Sequence, residues 1–114
     1  MKIRTVTGAL AVAGFIVLSP SAFAAVDAAA AQATAKKEGC LKCHAIDKKK
    51  EANSLKDIAK KYAGDAGAQE KLEKHLLTGP KVKLEDGTEE EHKIIKTKDK
   101  GELSNLVAWI LSLK

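Results

Sequence analysis

The chain has 114 residues, of which 45% are apolar but only 4% aromatic, and 20 Lys and Arg stand against 15 Asp and Glu. Its formal charge of +5 is carried by basic residues interleaved with acids, with no basic stripe bearing aromatics, which argues against nucleic acid as a partner. This length allows one small domain, close to the size at which an apolar core alone is marginal without some added staple.

Residues 1–24 read as an export signal. Lys2 and Arg4 precede an apolar run from Ala9 to Leu18, and Ala22-Phe23-Ala24 offers the small residues a signal peptidase reads, so cleavage is expected after Ala24. The run is too short to span a bilayer as a helix. The expected product, residues 25–114, is a periplasmic protein of about 90 residues with a charge near +3, not membrane-spanning once processed. Its only rings of the Phe, Trp and Tyr type are Tyr62 and Trp109, so a bulky apolar cofactor would fill a centre the side chains cannot.

From Val26 to Glu38 the chain is rich in alanine and free of Gly and Pro, and Gly39 supplies a stop, which predicts a helix ending just before Cys40. Ala45 to Asn53 is polar and reads as loop. Ser54 then caps a helix with Leu55, Ile58, Ala59 and Tyr62 on one face. Ala68, Leu72, Leu76 and Leu77 mark a third helix that stops at Thr78-Gly79-Pro80. Lys81 to Lys98 is read as a long loop, with a hairpin pairing Lys81–Leu84 to Lys93–Lys96 across Asp86-Gly87 as the alternative. Asp99 and Glu102 resemble a capping box, and Leu103, Leu106, Val107, Ile110 and Leu111 give the last helix its apolar face. The fold class expected is all-α, with about four helices.

Cys40-Leu41-Lys42-Cys43-His44 is the chemically informative motif. Each thiol of Cys-x-x-Cys-His can form a thioether with a haem vinyl group, and the adjacent histidine then reaches the iron from one face. A disulfide or a thioredoxin-like redox pair would also use Cys40 and Cys43, but neither needs His44, and the second calls for a βαβ pattern that this helical chain lacks. A zinc site would want a second cysteine pair. No nucleophile–base pair, paired carboxylates or phosphate loop stands out, so the chain is not read as an enzyme.

Helix, haem motif, two middle helices, loop and amphipathic last helix together resemble a small bacterial class I cytochrome c, over the whole of residues 25–114. Gly39 to Lys49, Lys56 to Gly64 and Leu106 to Lys114 are all similar to that family. The resemblance implies a class I fold on one covalent haem c with its iron, first and last helices crossing, and electron transfer between periplasmic or membrane-bound redox proteins. Three departures stand out. The family's distal methionine has no counterpart, because the only methionine is Met1; its Gly-Pro, whose backbone helps orient the proximal histidine, appears as Ala52-Asn53; and its tryptophan near the methionine loop is missing.

His75 and His92 are the remaining histidines, and either could take the sixth iron position. His92 is favoured because it lies in the loop where the family keeps its distal ligand, with Ile94-Ile95 beside it to pin that loop. The acidic run Glu89-Glu90-Glu91 should favour protonation of free His92, against which iron would compete. His75 shares a helix face with Leu72 and Leu76 but aligns with a surface position of the family. The expected haem-binding set is therefore Cys40, Cys43, His44 and His92, with His44 and His92 on the metal. Tyr62 or a lysine would meet the propionates, and Leu55, Ile58, Leu72, Leu76, Ile94, Leu106 and Ile110 would pack on the ring. A low-spin His/His haem is an electron carrier. An open or weakly capped iron would instead bind a small gas or peroxide, which is the alternative function.

Overall fold

A computed structural model describes residues 8–9, 11–16 and 25–114. The expected leader with its boundary at Ala24 falls largely outside the described residues. Helix α1 runs Ala28–Lys37, a 3₁₀ turn follows at Cys40–Lys42, then α2 at Leu55–Lys61, α3 at Ala68–Thr78, strands β1 at Lys81–Lys83 and β2 at Glu89–Glu91, and α4 at Lys100–Ser112. The four expected helices are present. α1 starts two residues later than the composition suggested, because the Asp27 side chain accepts from the Ala30 N–H and so caps the helix rather than joining it.

α4 is the centre of the packing, with α1, α2 and α3 all set against it. Its Leu106 and Val107 are wholly buried and Trp109 nearly so. α1 approaches closely because it offers alanines, and Ala31 and Ala35 are both sealed from solvent. Leu55 from α2 and Leu72 from α3 complete the cluster, together with Ile95 from the segment that leads into α4.

Two corrections concern the segment after α3. It is neither a plain loop nor the hairpin considered as its alternative. β1 pairs antiparallel with β2, Lys81 opposite Glu91, Val82 opposite Glu90 and Lys83 opposite Glu89. Asp86-Gly87 does form the turn, with Gly87 at φ +85° and its N–H donating to the Leu84 carbonyl, while the Thr88 N–H and hydroxyl donate to the Asp86 carboxylate. So tight a turn fixes the register close to its own ends, and Lys93–Lys96 lies too far along to pair. The acidic run thereby becomes an exposed strand facing lysines.

The capping box is the third correction. Asp99 caps α4 by accepting from the Gly101 and Glu102 N–H groups. Glu102 does not reach back. Its carboxylate accepts from Lys37 Nζ and from the hydroxyls of Thr34 and Thr97, so it joins α1 to α4 instead.

Candidate functional site

Gly39, at φ +78°, ends α1 and turns the chain into the 3₁₀ turn that carries the first cysteine. The His44 N–H donates to the Cys40 carbonyl at 3.0 Å, which brings Cys40, Cys43 and His44 onto one compact turn. The loop expected over Ala45–Asn53 folds back on this turn: Ala52 N–H donates to the Cys43 carbonyl, Leu55 N–H to Ala45 and Lys56 N–H to Ile46. Its end presents the Asn53 carbonyl to His44 Nδ1 at 2.6 Å. A carbonyl can only accept, so Nδ1 is the donor, and in the neutral ring this leaves the lone pair on Nε2. The contact that the missing Gly-Pro put in question is thus made by the Asn53 backbone.

Two adjoining clefts of about 200 and 220 Å³ meet here and share Cys40, His44, Ala52, Leu76, Val82, Leu84 and His92 in their walls. His92 follows directly on β2, and its ring lies 6.2 Å from that of His44, centroid to centroid. Its Nδ1 is engaged by the Lys93 carbonyl at 2.9 Å, which again leaves Nε2 as the nitrogen with a free lone pair. His75 is not the surface residue its alignment suggested. It lines the same space from α3, edge-on to His92 with 4.5 Å between centroids.

Burial lowers the pKa of His92, and burial followed by the neighbouring His92 and His44 lowers that of His75. Both rings are therefore biased to the neutral form that binds metal. This corrects the expectation that the acidic run would favour protonation of free His92: Glu89, Glu90 and Glu91 are exposed, and burial of the ring lowers its pKa. The thiols move the other way. Burial and Glu38 push the Cys40 thiol up, and burial with a hydrogen bond to Glu51 does the same for Cys43. A thioredoxin-like pair requires a lowered thiol pKa, so this environment does not suit that chemistry.

The lining fits a haem. Leu55, Ile58, Leu72, Leu76, Leu106 and Ile110 line the space that Cys40 and the three histidines share, and Lys61 and Tyr62 line it too. Ile94, expected on the ring, is half exposed but still lines the cleft beside Ile95, which takes the core position. Two imidazoles bound to one metal at about 2 Å each put their centroids about 6 Å apart, which is the observed spacing of His44 and His92. Sequence reasoning missed what Glu38 does, its buried carboxylate accepting from the Lys96 and Thr97 N–H groups, and read Gly79 only as a helix stop, whereas the His92 backbone rests against it. Neither contact carried a local signal, since the partners are more than ten residues away in each case.

The family model for cytochrome c matches residues 28–114. Cytochrome c2 of Rhodocyclus tenuis is 39% identical over 83 residues, covering 72% of this chain and 90% of that one. Cytochrome c-551 of Pseudomonas aeruginosa is 46% identical over 44 residues, and the match spans 39% of this chain and only 42% of that relative's length. Among solved structures, the class 1 cytochrome MtoD of Sideroxydans lithotrophicus ES-1 superposes with a TM-score of 0.75 at 48% identity, over 77% of this chain and 97% of that one. Cytochrome c552 of Nitrosomonas europaea gives 0.60 at 29% identity, over 73% and 99%.

Proposed function

Because the chain belongs to the cytochrome c family, with the class I fold and one covalently bound c-type haem, we propose that it is an exported electron carrier whose haem is held by Cys40 and Cys43 and ligated by His44 and His92. The observation that supports this most directly is the pair of imidazoles 6.2 Å apart in one apolar cleft, each with Nδ1 engaged by a backbone carbonyl. When bound, the haem supplies a one-electron iron couple. The Asn53 carbonyl orients His44 and raises its basicity. His92 stands in for a methionine sulfur, which sets the potential lower than in His/Met members. The apolar residues Leu55, Ile58, Leu72 and Leu76 would keep water from the bound haem, and Lys61 or Tyr62 would meet its propionates. Residues 1–24 direct export and leave, giving residues 25–114 in the periplasm, where the partners are soluble or membrane-bound redox proteins. Among the described residues no helix is long and apolar enough to cross a membrane.

Optical and low-temperature EPR spectra of the purified holoprotein, with and without carbon monoxide, test the ligation. Low-spin signals in both oxidation states and no carbon monoxide binding are expected, while His92→Ala should become high-spin and bind the gas. A high-spin wild type would overturn the reading in favour of a ligand-binding haem protein. So would an unchanged His92→Ala, by moving the sixth ligand elsewhere. Intact mass of the same preparation checks removal of residues 1–24 and addition of one haem.

A further inference from the structure

α3 ends at Gly79, whose φ of +57° places it in the left-handed region and whose N–H donates to the His75 carbonyl at 3.1 Å. A glycine here serves as a helix stop, and that alone would explain it. Its surroundings ask for more. Gly64 and Gly87 also have positive φ, yet nothing lies within 4 Å of where a Cβ would stand on either. At Gly79 that place is taken: the His92 carbonyl oxygen would be 2.5 Å away, and Ile94 Cγ1 2.7 Å. The segment is tied down on both sides of this contact. His92 N–H donates to the Pro80 carbonyl and Ile95 N–H to the Leu76 carbonyl, each at 2.9 Å.

We propose that Gly79 is a positioning residue for the distal ligand: the absence of a side chain lets the His92 backbone seat on the end of α3, and this sets how far the imidazole reaches into the cleft. The inference rests on His92 being the sixth ligand. A methyl group at position 79 cannot coexist with a carbonyl oxygen at 2.5 Å, and the neighbour in its way is backbone, so residues 92–94 must lift. The ring then leaves the position it holds opposite His44. The effect is transmitted through residues 92–94, since Gly79 itself does not line the cleft.

The test compares holoprotein of the wild type, Gly79→Ala, Gly64→Ala and His92→Ala by EPR and by the rate of carbon monoxide binding to the reduced form. Gly64→Ala controls for backbone strain, because it carries a comparable positive φ of +79° with open space around it. Gly79→Ala is expected to gain a high-spin fraction and to bind carbon monoxide about tenfold faster than Gly64→Ala. Equal rates and spectra for the two alanine variants would overturn the seat while leaving His92 ligation intact. A low-spin, carbon monoxide-inert His92→Ala would overturn the ligation reading, and the seat with it. Should Gly79→Ala fail to accumulate, Gly79→Ala with Ile94→Ala removes the side-chain part of the overlap and keeps the backbone part, and the same comparison applies.

Discussion

Glu38 is 5% exposed, and its two carboxylate oxygens accept from Lys96 and Thr97 N–H groups at 2.7 and 3.2 Å. It sits one residue before Gly39 and two before Cys40, so this side chain fastens the segment leading out of the His92 region to the start of the haem motif. Glu38→Ala would leave two backbone donors without a partner and should cost roughly 2–4 kcal/mol in urea unfolding of the holoprotein, while Glu38→Gln, which keeps one acceptor, should cost less. At the iron itself, His92→Met would restore a thioether donor and should raise the midpoint potential, on the order of 0.1 V by film voltammetry. The grouping of Cys40, Cys43 and His44 on one turn was legible in the sequence, because the haem attachment proposed for them depends on spacing within five consecutive residues. The contacts of Glu38 and Gly79 were not, since each is made with a partner brought to it only by the fold.

Where α1 crosses α4, small residues let the helices approach and polar groups fix the crossing. Asn105 accepts from the Asp27 N–H and donates to the Asp27 carbonyl, both at 2.9 Å, at one end of the contact. Glu102 gathers Lys37, Thr97 and Thr34 at the other. Hydrogen bonds from Lys37 first, then Thr97 and Thr34, lower the Glu102 pKa from its ordinary 4.5. A carboxylate whose folded pKa is depressed binds protons more readily when unfolded, so its contribution is fully present above pH 4.5 and is lost as pH falls through the lower folded value. Glu102→Gln should therefore flatten the dependence of thermal stability on pH below about 4.5 and leave the neutral-pH dependence unaltered, as calorimetry across that range would read. The helices themselves could be read from apolar period and cap residues, Ser54 and Asp99 included. The strand register could not, because β1 reads Lys-Val-Lys and β2 Glu-Glu-Glu, with no apolar face shared between them, and the Asp86-Gly87 turn decides which residues pair.

For the molecule as a whole, the apolar cluster of side chains surrounds α4, while the walls formed by Leu55, Ile58, Leu72 and Leu76 turn toward the haem cleft as well. A domain of this size draws little stability to spare from its own side chains, and a haem in the proposed cleft would be part of its interior. Cys40→Ala with Cys43→Ala, which blocks attachment, should therefore lose several kcal/mol, on the order of the entire stability expected for so short a chain. Far-UV circular dichroism should show the loss as reduced helicity at room temperature. The need for such a cofactor is legible in composition, since Tyr62 and Trp109, the only Phe, Trp or Tyr rings of residues 25–114, cannot fill a centre of this size. That His75 lines the same space beside His44 and His92 was not foreseeable, since it depends on how the hairpin returns the chain to the end of α3.

That hairpin carries a practical consequence. Val82 and Leu84 face the cleft and the backbone of Glu85 is tied to Glu51, but the tip at Asp86-Gly87 stands clear, with open space around Gly87. Since β1 and β2 are registered by their own pairing and His92 follows β2 without a break, a tether grafted at the tip would be insulated from the ligand by two paired strands. Wiring the protein to an electrode or to an enzyme through this turn should bring the linkage within about 20 Å of the iron, given three residues of strand and a turn, and leave the coordination untouched.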